Sequence, residues 1–412
     1  MIPERQMEIV LQDQAKWFLR RDPGIPRSID ISRYLNHTHV VIISGVRRCG
    51  KSTLLRQIAS HFDAYYYLNL DDERLFGFEL SDFSTLMILF EKMRPGVRTI
   101  FLDEIQNVPG FERFIRRIHD EGYRIFCTGS NAHLLSKELG THLTGRHVRI
   151  ELFPFSFSEY LTWHKIDYNI KDSETIASLL SYLDRYLEGG GFPEYTRQAD
   201  PDILKGIYED ILYRDSIVRW NIRDTSAFIN LARYLLTNIG SEVSYRSLAT
   251  TLQIKSPGTV REYIRFLADT YLFFEVYRYD PSLKKQHGSG KKIYCIDNGM
   301  RNKVSFRFSA DNGKLLENIV FLELLRRKCD VYYHSAKKEC DLITLEQGRV
   351  SGLYQVCYEL NEGNRSRECS GLQEAMVEYS IPVGNIITMN QSEEIPVPEG
   401  MIRAIPVWRW VL

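Results

Sequence analysis

Residues 45–52, Gly45-Val46-Arg47-Arg48-Cys49-Gly50-Lys51-Ser52, constrain this chain more than any other stretch. They follow an apolar run, His39-Val40-Val41-Ile42-Ile43-Ser44, and precede a helix-like run from Thr53 to Phe62. Strand, glycine loop and helix in that order are what a phosphate cradle requires. The glycines let the backbone turn so that successive N–H groups and the positive end of the helix face one oligophosphate. The expected nucleotide contacts are therefore Gly45, Val46, Arg47, Arg48, Cys49, Gly50, Lys51, Ser52 and Thr53, with ATP as ligand and magnesium as its ion. Lys51 would reach the β- and γ-phosphates and Ser52 would hold the metal. A plain glycine turn explains an isolated match equally well, so the partner elements decide.

Those partners are present. The strand Thr99-Ile100-Phe101-Leu102-Asp103-Glu104 ends in two acids, which places Asp103 with Ser52 in the magnesium shell and Glu104 beside the attacking water as general base. A further strand, Arg124 to Asn131, ends in small polar groups, where Ser130 or Asn131 is suited to hydrogen-bond the γ-phosphate or the water. Asn131 equally suits the cap of a helix over Ala132 to Leu139. Arg146, after Leu143-Thr144-Gly145, is the arginine-finger candidate, since a guanidinium neutralises charge developing on the γ-phosphate; a surface salt bridge is the alternative. The candidate catalytic set is thus Lys51, Asp103, Glu104, Asn131 and Arg146.

With 412 residues, 44% hydrophobic and 26% charged, the chain is long enough for two or three folded domains. Its formal net charge of zero gives it no overall attraction to nucleic acid, so any such binding must come from local patches. No apolar run approaches membrane-spanning length, and Glu4, Arg5, Glu8 and Asp13 interrupt any signal-peptide core. The expectation is a cytoplasmic protein with no membrane partner. Seven cysteines without paired metal spacing read as buried free thiols.

Several stretches together resemble a family of bacterial and archaeal ATPases. They are the phosphate loop, Phe101 to Gln106, Thr128-Gly129-Ser130-Asn131, Leu143 to Arg146, Phe153 to Tyr160, and Gly190-Gly191-Phe192-Pro193-Glu194. The resemblance implies an α/β chain: an AAA-type, additional-strand P-loop domain with a helical lid, then a winged helix and a C-terminal restriction-endonuclease-like domain. It implies ATP hydrolysis and leaves the biological role open. The expected segments are a lead-in helix in 1–38, the ATPase core in 39–165, the lid in 166–235, the winged helix in 236–305 and the endonuclease-like domain in 306–412.

In the lid region, helices are expected over 174 to 188 and 202 to 220 around the Gly189-Gly190-Gly191 turn. Tyr245 to Leu252, a turn, and a helix starting at Pro257 form a helix-turn-helix pattern. Val260, Ile264, Leu267 and Tyr271 make its buried stripe, leaving Arg261 and Arg265 on an exposed face. Strands Tyr271 to Tyr277 and Lys291 to Ile296 flank a basic wing with Lys284, Lys285, Lys291 and Lys292. Those six cations are the candidate contacts to duplex DNA. A protein-interaction module is the competing reading, with a homo-oligomer or an unknown protein as partner.

The restriction-endonuclease-like core implied by the resemblance, in its active form, uses an acid on a first helix, an Asp on a second strand and Glu-x-Lys on a third, with magnesium. Glu317 and Asp341 fit the first two positions, but Gln355 and Cys357 stand in the third. Glu359 is the displaced acid expected on the same strand face. The expectation is a degenerate, non-cleaving domain, an active ATP-dependent nuclease being the demoted alternative.

Overall fold

Strands β1 (Val40–Gly45), β2 (Tyr66–Asn69), β3 (Thr99–Asp103), β4 (Arg124–Gly129) and β5 (His147–Leu152) form one parallel sheet in the order β2-β3-β4-β1-β5. This computed structural model describes all residues except 21, 131–144, 170–171 and 306–310. The chain divides into two units, Met1–Phe153 with Asp269–Tyr271, and Pro154–Ala268 with Leu272–Leu412. β1 and β3 are buried along their whole length, which is why both read as apolar runs rather than alternating ones. On one face the core joins Val40, Ile42, Leu68, Ile100 and Leu102 to Phe83, Leu86, Phe114 and Ile115. The lead-in helix Glu4–Arg20 adds Met7, Val10 and Leu11 to the same core. Because β4 lies between β1 and β3, the loop after β1 and the acids after β3 are two strand spacings apart, about 10 Å.

The second unit begins with helices Phe157–Trp163, Ser173–Gly189, Pro193–Gln198 and Pro201–Leu212, the last continued by a π-helical stretch, Tyr213–Val218. Between the second and third of these, Gly190 has φ +72 and Gly191 meets Phe155, whose N–H donates to Gly191 O at 2.7 Å. A Cβ on Gly191 would lie 2.2 Å from Phe155 O, so only glycine permits this approach. The two motif runs, Phe153 to Tyr160 and Gly190 to Glu194, thus meet through their backbones.

Helices Thr225–Thr237, Tyr245–Thr251 and Pro257–Asp269 follow, with β6 (Glu242–Val243), β7 (Phe273–Tyr277) and β8 (Lys291–Cys295) in an antiparallel sheet ordered β6-β8-β7. Ser256 caps the last helix, donated to by Thr259 N at 3.1 Å. The expected wing is not all loop: Leu283–Gly288 is a short helix. The remaining sheet runs β13-β14-β12-β11-β10-β9, built from β9 (Asp330–Ser335), β10 (Glu339–Glu346), β11 (Arg349–Val356), β12 (Val383–Thr388), β13 (Glu393–Val397) and β14 (Gly400–Pro406). Helix Glu362–Tyr379 packs on it through Cys369, Leu372, Ala375 and Met376. One expectation fails here. β11 stops at Val356, so Glu359 lies beyond the strand and is exposed rather than sharing a face with Gln355. The end of the tail, Val407–Val411, is helical.

All seven cysteines are unpaired, and six are buried. Among the described residues no helix is long and apolar enough to cross a membrane.

Candidate functional site

The loop between β1 and the helix Lys51–Ala59 is shaped by its glycines. Gly45, with φ +157, passes so close to β5 that a Cβ would sit 2.1 Å from Leu152 O. Gly50, with φ +102, is the N-cap, and Arg48 takes a left-handed φ of +65. The helix therefore starts at Lys51 with its first amides turned into the loop. Lys51 is 4% exposed, and its ammonium donates to Val46 O at 3.2 Å and lies 3.8 Å from Glu104 Oε1.

The acids after β3 converge on the same place. Thr128 of β4 bridges them: its hydroxyl donates to Asp103 Oδ1 and accepts the N–H of Glu104 at 2.9 Å. Burial pushes the Asp103 carboxyl above the usual carboxylate range, and the neighbouring Glu104 adds to this; hydrogen bonds from Thr128 and Ser52 and the charge of Lys51 oppose it. Ser52, at the start of the helix, is near enough to Asp103 to offset part of that rise. Glu104 leaves the strand with φ +54 and ψ +46, a left-handed conformation uncommon for glutamate, and its carboxylate accepts from Gln106 Nε2 at 2.5 Å. Gln106 also donates to Ser130 Oγ at 3.3 Å.

Two residues of this site escape the motif reading. Gln106 positions the Glu104 carboxylate from a 3-10 turn, Ile105–Asn107, that only the resemblance had marked. Arg27 lies far upstream in a Pro- and Gly-rich stretch, yet its guanidinium donates to Cys49 O at 3.0 Å and Phe153 O at 2.7 Å, tying the loop to the end of β5. No local pattern marks it.

Arg146 and Asn131 stand differently. Arg146 precedes β5 at the amino-terminal edge of the sheet, where its carbonyl accepts Val40 N at 3.0 Å. Lys51 is at the carboxyl edge, five residues of strand away, about 17 Å. The Arg146 side chain is exposed and paired with Asp120 Oδ1 at 2.6 Å, so in its own chain it meets a salt bridge and not the loop. Asn131 and the helix expected after it lie outside the described residues.

Comparison with known sequences matches an AAA domain over residues 37–161 and a domain of unknown function, DUF8612, over residues 180–311. An uncharacterized protein of Methanocaldococcus jannaschii is 36% identical over 410 residues, covering 94% of this chain and 91% of that protein. The chain belongs to that protein's family. An uncharacterized protein of Haemophilus influenzae is 32% identical over 349 residues, covering 80% of this chain and 85% of its own length. Among solved structures, the Aeropyrum pernix ORC1 protein in complex with DNA is similar at TM-score 0.32 and 13% identity, covering 73% of this chain and 91% of that one. AMPPCP-bound DnaA from Aquifex aeolicus is similar at TM-score 0.25 and 17% identity, covering 58% and 85%. Likeness at those scores carries nothing about what this chain binds.

In this AAA-domain protein the candidate DNA cations separate into two groups. Arg261, Arg265, Lys284 and Lys285 are exposed, Arg265 with Glu262 at 3.8 Å and Lys285 with Asp280 at 4.0 Å. Lys291 and Lys292 are not surface contacts, which corrects the sequence expectation. They sit on β8, the middle strand of its sheet, and are 5% and 1% exposed. Lys291 donates to His287 O and Ser289 O and stacks over the Tyr245 ring at 4.5 Å. Lys292 turns inward onto the acids of the endonuclease-like set: Glu317 and Asp341 are 3% and 7% exposed and meet its ammonium at 3.3 and 3.0 Å. Gln355 is buried beside them, donating to Glu368 Oε2 at 2.8 Å, while Cys357 lies past the end of β11 with its thiol on Glu359 O. The thiol is pushed up to about 11, chiefly by burial, so it carries no charge near neutral pH.

Proposed function

We propose that this chain binds and hydrolyses ATP at the loop 45–53, and that it couples turnover to duplex DNA through its second unit. The observation that carries the first half is the convergence of Lys51, Ser52, Asp103 and Glu104 at the carboxyl ends of β1 and β3. Lys51 and the loop amides suit a triphosphate. Ser52 and the Asp103 carboxylate are an oxygen pair that fits magnesium, and they would hold it; the ion would neutralise charge on the β- and γ-phosphates. Glu104, whose carboxylate Gln106 orients, is the group that would take the proton from the attacking water. Arg146 would serve as a finger only across a subunit boundary. Thr128 holds both acids in register.

The second half rests on the arrangement of three helices with the sheet β6-β8-β7, a winged-helix pattern in which exposed Arg261 and Arg265 lie one turn apart on the helix Pro257–Asp269, with Lys284 and Lys285 in the connection between β7 and β8. With Lys291 and Lys292 buried, at most these four cations are available from the six, so the slope of log K against log salt for a duplex should be no steeper than about −4. Titrating a labelled duplex at several salt concentrations measures it, and stimulation of turnover by the same duplex tests the coupling. The second reading, a nucleotide-dependent switch that holds a protein, is favoured by that same burial and by the pairing of Arg265 with Glu262. It stands if duplex neither binds nor changes turnover at low salt.

A further inference from the structure

The active restriction-endonuclease-like core implied by the sequence resemblance needs a divalent ion, and the residues present do not fit one. The acids are gathered, but around an ammonium. Lys292 Nζ lies 2.7 Å from Glu339 Oε1, 3.0 Å from Asp341 Oδ1 and 3.3 Å from Glu317 Oε1. An ammonium has three N–H donors and here meets three carboxylates. Glu317 and Asp341 are further engaged by the protein: Glu317 Oε2 accepts Lys314 Nζ at 3.0 Å, Glu317 Oε1 also accepts Tyr294 OH at 2.6 Å, and Asp341 Oδ2 accepts Val356 N at 3.0 Å. Among the described residues no group of three or more acids, histidines and cysteines is disposed to hold a metal.

The backbone explains the aim of each partner. Lys292, on the central strand β8, is packed among Glu317, Asp341 and the Tyr333 ring and is 1% exposed. The pairing of β10 with β9 shifts register between Cys340 and Ile343, which turns Asp341 out of simple alternation. Burial lowers the proton affinity of Lys292, but the carboxylates, Glu317 foremost, more than reverse this and hold it charged.

We infer that the Lys292 ammonium stands in place of a divalent cation, so that the acid cluster Glu317, Glu339 and Asp341 is a built-in ion-pair clasp between β8 and the C-terminal sheet and not a metal-dependent nuclease centre. The clasp makes Lys292 a positioning residue for the C-terminal sheet. It does not depend on the ATPase reading.

The test is Mn2+ binding by the nucleotide-free full chain, counted by electron paramagnetic resonance. Asp341→Asn should leave the Mn2+ count of the wild type unchanged, and no Mn2+-dependent plasmid cleavage should be lost with it. Lys292→Ala should gain one Mn2+ per chain, lost again in Lys292→Ala with Asp341→Asn. If Lys292→Ala unfolds on its own, millimolar Mn2+ should restore its cooperative thermal transition, and the double variant should not be restored. A wild-type Mn2+ site or cleavage that Asp341→Asn abolishes overturns the inference. So does a Lys292→Ala chain that neither gains a Mn2+ ion nor is rescued by one.

Discussion

Thr128 sits between the two acids of the candidate site, its hydroxyl given to Asp103 and its oxygen taking the N–H of Glu104. A buried carboxylate and a backbone amide both depend on one side chain. Thr128→Val keeps the shape and removes both bonds, which should cost about 1–3 kcal/mol of stability and lower ATP turnover; denaturant unfolding and a phosphate-release assay measure the two effects. Arg27 acts on the loop from outside the motif. Arg27→Ala removes two hydrogen bonds from a charged donor, and the chain should lose about 1.5–3 kcal/mol and bind nucleotide more weakly, read by thermal unfolding and by titration with a fluorescent ATP analogue. An unchanged nucleotide affinity would show that the clamp supports β5 alone.

At the level of elements, the turn at Gly190 and Gly191 joins the end of the helix Ser173–Gly189 to the segment before Phe157, and Asp297 closes it by accepting Gly191 N at 2.7 Å while capping the helix Asn298–Val304. Burial pushes the Asp297 carboxyl up to about 6. Gly191→Ala forces a methyl against Phe155 O and should cost about 1–3 kcal/mol, seen as a lower denaturant midpoint with nucleotide affinity retained. Such contacts explain what was legible in the sequence. Strands β1, β3 and β4 of the first sheet were readable because each is a short, largely apolar run bounded by turns, and the loop and acids because their chemistry fixes their order. Arg27 was not readable, since its bonds to Cys49 and Phe153 are long-range and backbone-directed. Lys291 and Lys292 misled for a related reason. Basic residues beside a glycine-rich turn read as exposed, and only tertiary packing buries them, Lys291 over the Tyr245 ring and Lys292 against Glu317 and Asp341. Glu359 was misplaced because β11 ends at Val356, a boundary that no proline or glycine announces.

For the whole molecule, the AAA-domain match and the candidate nucleotide site both fall in the first unit. With Glu104 as the proposed base and Lys51 as the proposed phosphate anchor, Glu104→Gln separates binding from chemistry. The most direct measurement is magnesium-dependent ATP hydrolysis by the wild type and Glu104→Gln, with nucleotide binding measured in parallel. Turnover by the wild type is expected, with a fall of about 10²–10⁴-fold in Glu104→Gln and affinity for ATP kept. An unchanged rate in Glu104→Gln, or a wild-type chain that binds ATP without hydrolysing it, would contradict that expectation.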